Sequence, residues 1–213
     1  MSKNAYVTDN KNQFKDKVAV ITGSTQGIGA ETAKLFASRG ARAIAICGRN
    51  EEQGLKVKHE IEQIGSECLF VKADLAKVED CRNIISSTEK SYGTLHILVN
   101  VAGFTERGTI LSTTLDNYEK NFNINTRAPF LLMQESIKIM RRDKVKGTIA
   151  CILSMAAYSG MPFLTAYSSS KGALAIMIKN VANAVSADQI RVNGLNIGWT
   201  DTPGEDITQK KIP

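Results

Sequence analysis

A tyrosine and a lysine four positions apart, Tyr167 and Lys171, have the types and spacing that suit acid–base chemistry. Residues four apart lie on the same face of a helix, so the phenol and the amine would be neighbours. A phenol keeps its proton at neutral pH, but a nearby ammonium stabilises the phenolate. The pair could therefore act as a general acid or base. Tyr167 is the only one of the five tyrosines that a lysine follows at this distance.

A glycine-rich turn near residue 25 is the second chemically specific segment. Gly23, Gly27 and Gly29 follow an apolar run and open a helical stretch. Glycine permits a tight turn, and without a Cβ the backbone can approach a ligand closely. The helix N-terminus then offers unpaired N–H groups and positive dipole density to a phosphate. This context predicts a nucleotide-binding turn. Its predicted contact residues are Gly23, Ser24, Thr25, Gln26, Gly27, Ile28 and Gly29.

The elements that must position these residues alternate along the chain. Apolar runs typical of strands covered on both faces occupy residues 18–22, 43–47, 68–71, 96–100, 148–153 and 190–195. Helical stretches lie between them at residues 27–39, 51–64, 77–92, 115–141 and 165–185. This alternation predicts one doubly wound α/β domain with a parallel sheet over residues 15–213, after a polar tail at 1–14. Ligands bind such sheets at the carboxyl ends of the strands.

Composition narrows the class of protein. The 213 residues suffice for one domain, and 43% hydrophobic with 23% charged residues excludes disorder. No apolar run approaches the roughly 18 residues of a membrane span, and residues 1–17 lack a signal-peptide core, so we expect a cytoplasmic protein without a membrane partner. The net charge of +6 comes from scattered residues, so no nucleic-acid partner is expected. The four cysteines and two histidines match no metal-ligand spacing, and no metal is expected.

Two spacings together resemble those of a known family. Thr22 and the three glycines form a TGxxxGxG motif, and Ser154 precedes the Tyr167-x3-Lys171 pair by thirteen residues. Both are similar to the motifs of the short-chain dehydrogenase/reductase family, and the resemblance covers residues 15–203. It implies a Rossmann-like fold and an oxidoreductase. Such an enzyme transfers a hydride between NAD(P) and a small carbonyl or secondary alcohol substrate.

The resemblance also implies roles for four catalytic residues. Tyr167 would be the general acid or base, and Lys171 would tune it and hold the nicotinamide ribose. Ser154 would donate a hydrogen bond to the substrate oxygen. Asn125 matches the helix asparagine that orders a water molecule beside the lysine. The alternative for Asn125 is a polar residue that faces solvent from the middle of a helix.

The choice of cofactor depends on Arg49, which lies twenty positions after Gly29. NAD sites of this kind carry an acidic residue there, whereas a guanidinium matches a 2′-phosphate. We therefore expect NADP(H) in preference to NAD(H). Besides Arg49, the expected cofactor contacts beyond the glycine turn are Asn50, Asp74, Leu75, Asn100, Ala102, Gly103, Tyr167, Lys171, Thr200 and Thr202.

Three departures from the family pattern leave a second function open. Val101 replaces an asparagine, and Ile197 replaces a proline. The sequence stops at Pro213, where the resemblance implies a further helix and strand, so we expect the domain to be C-terminally incomplete. The alternative function is a nucleotide-binding sensor or scaffold with little turnover. Five residues are expected to line the substrate pocket, or else to pack in core or loops: Met155, Met161, Phe163, Leu164 and Trp199.

The two longest predicted helices, 115–141 and 165–185, carry more apolar surface than one face of the sheet can cover. Members of the family that the chain resembles pair their subunits through these helices. We therefore expect a homodimer or homotetramer.

Overall fold

A parallel sheet forms the centre of the protein. The computed structural model describes residues 10–198 and 200. Within them the strands are β1 Val18–Ile21, β2 Ala43–Gly48, β3 Glu67–Lys72, β4 Ile97–Asn100, β5 Thr148–Ser154 and β6 Arg191–Ile197. Their order in the sheet is β3-β2-β1-β4-β5-β6, and every pairing is parallel. Strand order reverses between β1 and β4, and a crevice opens there at the carboxyl ends of the strands. The predicted doubly wound, Rossmann-like fold is confirmed.

Helices cover both faces of this sheet. They are α1 Gly27–Ser38, α2 Glu51–Ile64, α3 Val78–Tyr92, α4 Leu115–Phe122, α5 Ala128–Arg142 and α6 Thr165–Ala184. Side-chain caps start two of them: Asn50 accepts a hydrogen bond from the Gln53 N–H at α2, and Thr114 accepts one from the Asn117 N–H at α4. The predicted helices agree with these bounds to within two residues, with one exception.

The exception is the predicted uniform helix over residues 115–141. The helical backbone does run through this stretch, but a π-helical turn at Asn123–Arg127 separates α4 from α5. A π turn accommodates one extra residue and often lies at a functional site. Here it carries Asn125, one of the predicted catalytic residues.

Two apolar clusters pack on opposite faces of the sheet. One joins side chains of β1, β2 and β4 to α3, α5 and α6, and includes Leu98, Leu132 and Leu174. The other joins the sheet to α1 and α2, and includes Ala33 and Ile61. This two-sided burial explains why the strands are apolar at nearly every position. None of the helices in the described part of the chain is long and apolar enough to cross a bilayer.

The first residues described pack against the start of the domain. Of the predicted polar tail at 1–14, residues 1–9 lie outside the described residues. The Phe14 ring stacks on Phe36 of α1, with 4.0 Å between the ring centroids. The Phe14 N–H also donates a hydrogen bond to the Arg39 carbonyl. The chain is therefore attached to α1 from Phe14 onward.

Candidate active site

The turn between β1 and α1 tolerates only glycine at two positions. Gly23 has φ of +62°, and a Cβ there would lie 2.8 Å from Cα of Ala102. A Cβ on Gly29 would lie 2.3 Å from the carbonyl oxygen of Gly23. Both distances are shorter than atoms can approach, and neither backbone neighbour can move aside. The turn therefore lies in direct contact with the loop that follows β4.

Thr22 attaches that loop to β1. Its Oγ1 is buried and accepts hydrogen bonds from the N–H groups of Val101 at 3.0 Å and Ala102 at 3.2 Å. The position of Thr22 in the glycine motif did not predict this role. Two adjacent backbone donors are thus satisfied by one hydroxyl. This arrangement positions Ala102 and Gly103 against the glycine turn.

A cleft of about 320 Å³ opens above this turn. It combines loops that follow β1, β2, β3 and β4, as expected for a parallel sheet. Eleven of the predicted contact residues line it: Gly23, Thr25, Gln26, Gly27, Ile28, Gly29, Arg49, Asp74, Leu75, Ala102 and Gly103. Further lining comes from Cys47, Gly48, Ala73, Val101, Phe104 and Ile124. We call this space the nucleotide cleft.

Six other predicted contacts do not line this cleft: Tyr167, Lys171 and Thr200, which are described below, and Ser24, Asn50 and Asn100. Ser24 is buried; its Oγ donates to the Ile21 carbonyl and accepts from the Cys47 N–H, so it joins β1 to β2. Asn50 caps α2. Asn100 is buried, and its amide donates to the Cys151 sulfur at 3.4 Å.

A second cleft of about 360 Å³ adjoins the first, and Ile28 lines both. Ser154 and Tyr167 line it together, and Ser154 Oγ accepts a hydrogen bond from the Ala156 N–H at 3.1 Å. This contact uses an acceptor site of the hydroxyl and leaves its own proton available. The other lining residues are Thr105, Arg107, Met155, Ala156, Met161, Phe163, Leu164, Ile197, Gly198 and Thr200. We call this space the substrate cleft.

The substrate cleft contains four of the five residues predicted to line a pocket: Met155, Met161, Phe163 and Leu164. Trp199 and Thr202 lie outside the described residues. Thr200, predicted as a cofactor contact, lines the substrate cleft and not the nucleotide cleft. Arg107 and Thr105 line it as well, although neither was predicted from the sequence. Their only signal was their place in the loop that follows β4.

Lys171, a predicted cofactor contact, lines neither cleft and is 3% exposed. Its Nζ donates a hydrogen bond to the Ile152 carbonyl at 2.8 Å. A Cβ on Gly103, in the nucleotide cleft, would lie 3.5 Å from this Nζ. Burial lowers the pKa of Lys171 from 10.5 to about 8, because the charged amine loses its solvation. No carboxylate in the described part of the chain forms an ion pair with Lys171.

Asn125 is fully buried and does not face solvent. Its Oδ1 accepts from the Phe104 N–H, and its Nδ2 donates to the Phe104 carbonyl, both at 2.8 Å. The same Nδ2 is 3.0 Å from Ser170 Oγ and 3.3 Å from Asn121 Oδ1. Ser170 in turn donates to the Tyr167 carbonyl at 2.7 Å. Asn125 therefore links the loop after β4 to the first turn of α6.

The residues of the nucleotide cleft fit a dinucleotide. A side chain at Gly23 or Gly29 would collide with backbone atoms. Both positions therefore require glycine, and neither places a side chain in the cleft. The first turn of α1 has no acidic residue, and its N-cap residue, Gln26, makes no capping hydrogen bond with its side chain. The positive end of the helix is therefore free of internal anions and directed at the cleft. These features define a nucleotide-binding protein with a Rossmann-like fold.

Comparison with known proteins identifies the family. The sequence profile described as "short chain dehydrogenase" matches residues 17–212. A protein of Thermotoga maritima described as an uncharacterized oxidoreductase is 36% identical over 90% of this chain and 74% of its own length. Short-chain dehydrogenase reductase 3a of Arabidopsis thaliana is 31% identical over 84% of this chain and 69% of its own. The chain belongs to the short-chain dehydrogenase family and is an oxidoreductase of that family.

Solved structures agree with this assignment. A short chain dehydrogenase from Burkholderia cenocepacia, in complex with NADP, matches with a TM-score of 0.85 and 31% identity. That match covers 90% of this chain and 78% of the other. A dehydrogenase/reductase from Sinorhizobium meliloti matches with a TM-score of 0.83 and 34% identity, over 89% of this chain and 74% of the other.

Proposed function

We propose that this protein transfers a hydride between NADP(H) and a carbonyl or secondary alcohol, with Tyr167 as the general acid or base. The observation that supports this most directly is that the two clefts adjoin. The nucleotide cleft and the substrate cleft meet at Ile28, and the buried amine of Lys171 lies close to Gly103 of the nucleotide cleft, one helical turn from Tyr167 of the substrate cleft. A ligand that fills the first cleft would present its reactive end to Ser154 and Tyr167 in the second.

The side chains of the substrate cleft supply the proton chemistry. When bound, the nicotinamide would supply or accept the hydride at the substrate carbon. During reduction, the phenolic O–H of Tyr167 donates its proton to the carbonyl oxygen, and the carbonyl becomes an alcohol. The Ser154 O–H, which no other described residue accepts, donates a hydrogen bond to the same oxygen. During oxidation, the phenolate of Tyr167 takes the alcohol proton.

Lys171 assists Tyr167 by its charge. Its ammonium has three donors, and the Ile152 carbonyl occupies one of them. Two donors remain for the cofactor ribose and for the phenolic oxygen. A buried positive charge acts strongly because little water screens it. Burial lowers the pKa of Lys171 to about 8, so the amine still carries its charge at neutral pH.

Arg49 supports the choice of NADP(H). It is exposed at the rim of the nucleotide cleft, next to Gly48 at the end of β2. A guanidinium suits the dianionic 2′-phosphate and is of no use to a neutral hydroxyl. The similar dehydrogenase from Burkholderia cenocepacia, whose structure is described as a complex with NADP, is consistent with this choice.

An Arg49→Ser variant tests this choice of cofactor. We expect the KM for NADPH to rise about 10- to 100-fold, and the KM for NADH to change little, because only the phosphate contact is lost. Lys72→Ser is the matched control. Lys72 is an exposed cation at the end of β3, beside Gly48 of β2, and it pairs with Glu51 outside the nucleotide cleft. An equal change for both cofactors in Arg49→Ser would refute the role of Arg49.

Turnover itself separates an enzyme from a nucleotide sensor. The purified protein is mixed with NADPH and a panel of ketones and aldehydes, and absorbance loss is compared with the alcohol formed. We expect one alcohol for each NADPH consumed. Tight NADPH binding with no alcohol from any carbonyl would favour the sensor.

Apolar side chains on the outer helices support self-association. Four are well exposed: Leu115, Tyr118 and Phe130 on α4 and α5, and Ile176 on α6. We expect a homodimer or homotetramer through these helices, measurable by light scattering after gel filtration. A monomer at micromolar concentration would contradict it. The cytoplasmic location and the division into tail and domain stay predictions.

A further inference from the structure

Arg107 places a positive charge in the wall of the substrate cleft. It lies in the loop after β4 and lines the same space as Ser154 and Tyr167. No acidic residue is among the described residues that line this cleft. Most of the remaining wall is apolar, with Met155, Met161, Phe163 and Leu164. The cleft therefore combines one cation with a mainly hydrophobic surface.

The protein holds Arg107 in place from both ends of its loop segment, residues 104–108. Asn125 binds both backbone groups of Phe104. Gly108 donates its N–H to the Phe163 carbonyl at 2.9 Å and forms a parallel bridge with Leu164. The guanidinium itself lies over the Phe163 ring, 5.1 Å from its centroid. The same pairing immediately precedes α6, so Arg107 and Tyr167 share one local framework.

The guanidinium of Arg107 lacks an ordinary partner. Within residues 10–198 and 200 it makes no hydrogen bond and no ion pair, and its Nε is buried without a partner. Buried donors are nearly always satisfied in folded proteins. The Nε of Arg127 is likewise buried without a partner, but that guanidinium donates a hydrogen bond to the Ala76 carbonyl through a terminal nitrogen, whereas the guanidinium of Arg107 has no such bond to a described residue. An ordered but unpaired guanidinium in a cleft is suited to an incoming anion.

We propose that the substrate carries a carboxylate, which Arg107 binds while the carbonyl carbon faces Tyr167. The substrate class is then a small oxo acid and its hydroxy acid, with an aliphatic chain between the two groups against the apolar wall. A carboxylate matches the planar fork of the guanidinium. The assignment of the carbonyl end rests on the proposed function, whereas the anion site rests on the cleft alone.

The test compares acids with their neutral primary amides. The probes are 4-oxopentanoate, 5-oxohexanoate and 6-oxoheptanoate, which vary the distance from ketone to carboxylate, and the three matching amides. Binding to the protein, with and without NADP⁺, is measured by calorimetry, and turnover with NADPH is measured separately. We expect at least one acid to bind about 10- to 100-fold more tightly than its amide, as a charge-assisted pair provides.

Variants assign that preference to one side chain. Arg107→Leu should abolish it, and Arg107→Lys should retain part of it, because the charge remains and the fork is lost. Lys120→Leu is the matched control: Lys120 is an exposed cation 4.3 Å from the Phe104 ring centroid, in the same region but outside the cleft lining. It should keep the full preference. Circular dichroism and thermal melting establish that each variant is folded.

The proposal would be overturned by equal binding of acids and amides by the wild type, by no measurable binding of any acid, or by a preference that survives in Arg107→Leu. A change in NADPH affinity alone would also overturn it, because Arg107 would then serve the cofactor. Acid binding that depends on Arg107, in a protein that forms no alcohol from these acids or from any carbonyl of the panel, would support the anion site and refute the proposed function. The two proposals can therefore fail separately.

Discussion

Replacing Lys171 by Met should change how the stability of the protein depends on pH. The amine is 3% exposed, and burial lowers its pKa from 10.5 to about 8. In the unfolded chain the same amine would titrate at its ordinary value. Methionine has a similar length and does not titrate. The difference between the two proteins therefore isolates the proton of one side chain.

The sign and size follow from proton linkage. Between about pH 8 and 10.5 the unfolded chain keeps a proton on Lys171 that the folded chain has released, so stability rises with pH in this window. Below the window both states are protonated, and the full cost of burying the charge is present. A difference of 2.5 between the two pKa values (10.5 − 8) corresponds to about 3 kcal/mol. The free energy of unfolding of wild type minus that of Lys171→Met should rise by this amount.

Urea denaturation of both proteins without cofactor, from about pH 7 to pH 10.5, measures this difference. Other titrating groups largely cancel between the two curves. The comparison is repeated in a Tyr167→Phe background, which removes the phenol that Lys171 is proposed to assist. Any difference that remains then belongs to Lys171 and not to its interaction with that phenol. Parallel curves, with a constant difference across the range, would refute the claim that burial holds the pKa of Lys171 low.

Three further changes test the surroundings of the site. Gly29→Ala should destabilise the protein by about 1–3 kcal/mol and weaken NADPH binding, because the new Cβ would lie 2.3 Å from a backbone oxygen. Gly160→Ala is the control, because a Cβ there meets nothing within 4 Å. Equal effects of the two substitutions would contradict the steric argument. Asn125→Ala leaves both backbone groups of Phe104 unpaired, so the free energy of unfolding measured in urea should fall by about 2–4 kcal/mol. A decrease below about 1 kcal/mol would contradict this role of Asn125. Ser154→Ala should lower kcat about 10²- to 10³-fold with an unchanged Kd for NADPH; unaltered kcat would exclude Ser154 from the reaction.

The order of strands and helices was predictable from the sequence because burial on both faces leaves a clear pattern. Strands such as Val18–Ile21 are apolar at every position, and the intervening helices recur at regular intervals. Each βαβ unit has one favoured hand, so this alternation nearly determines the topology. The glycine turn was equally readable, since its backbone conformation and close contacts admit no other residue at Gly23 and Gly29.

Side-chain direction within the motifs was not predictable. Ser24 and Asn100 occupy motif positions, yet both are buried and bond to the sheet instead of lining the nucleotide cleft. A motif locates the backbone, but the direction of a short polar side chain depends on which neighbours need a partner. The Asn50 side chain likewise serves the N-terminus of α2.

Hydrophobic periodicity also did not predict the π turn or the position of Arg107. The single wide turn at Asn123–Arg127 continues the helical backbone on both sides, so hydrophobic spacing does not reveal it. Arg107 lies in an irregular loop, and only the pairing of that loop with Phe163 and Leu164 brings it into the cleft. Such long-range contacts have no counterpart in local sequence.

The proposed reaction depends on the hydroxyl of Tyr167, which transfers the proton. Tyr167→Phe removes one oxygen atom and leaves the ring in the substrate cleft. With any ketone that the wild type reduces, kcat/KM should fall by about 10²- to 10⁴-fold. The Kd for NADPH should stay within about twofold, since the nucleotide cleft is untouched. A Tyr167→Phe protein that reduces the ketone at the wild-type rate would show that this hydroxyl does not transfer the proton.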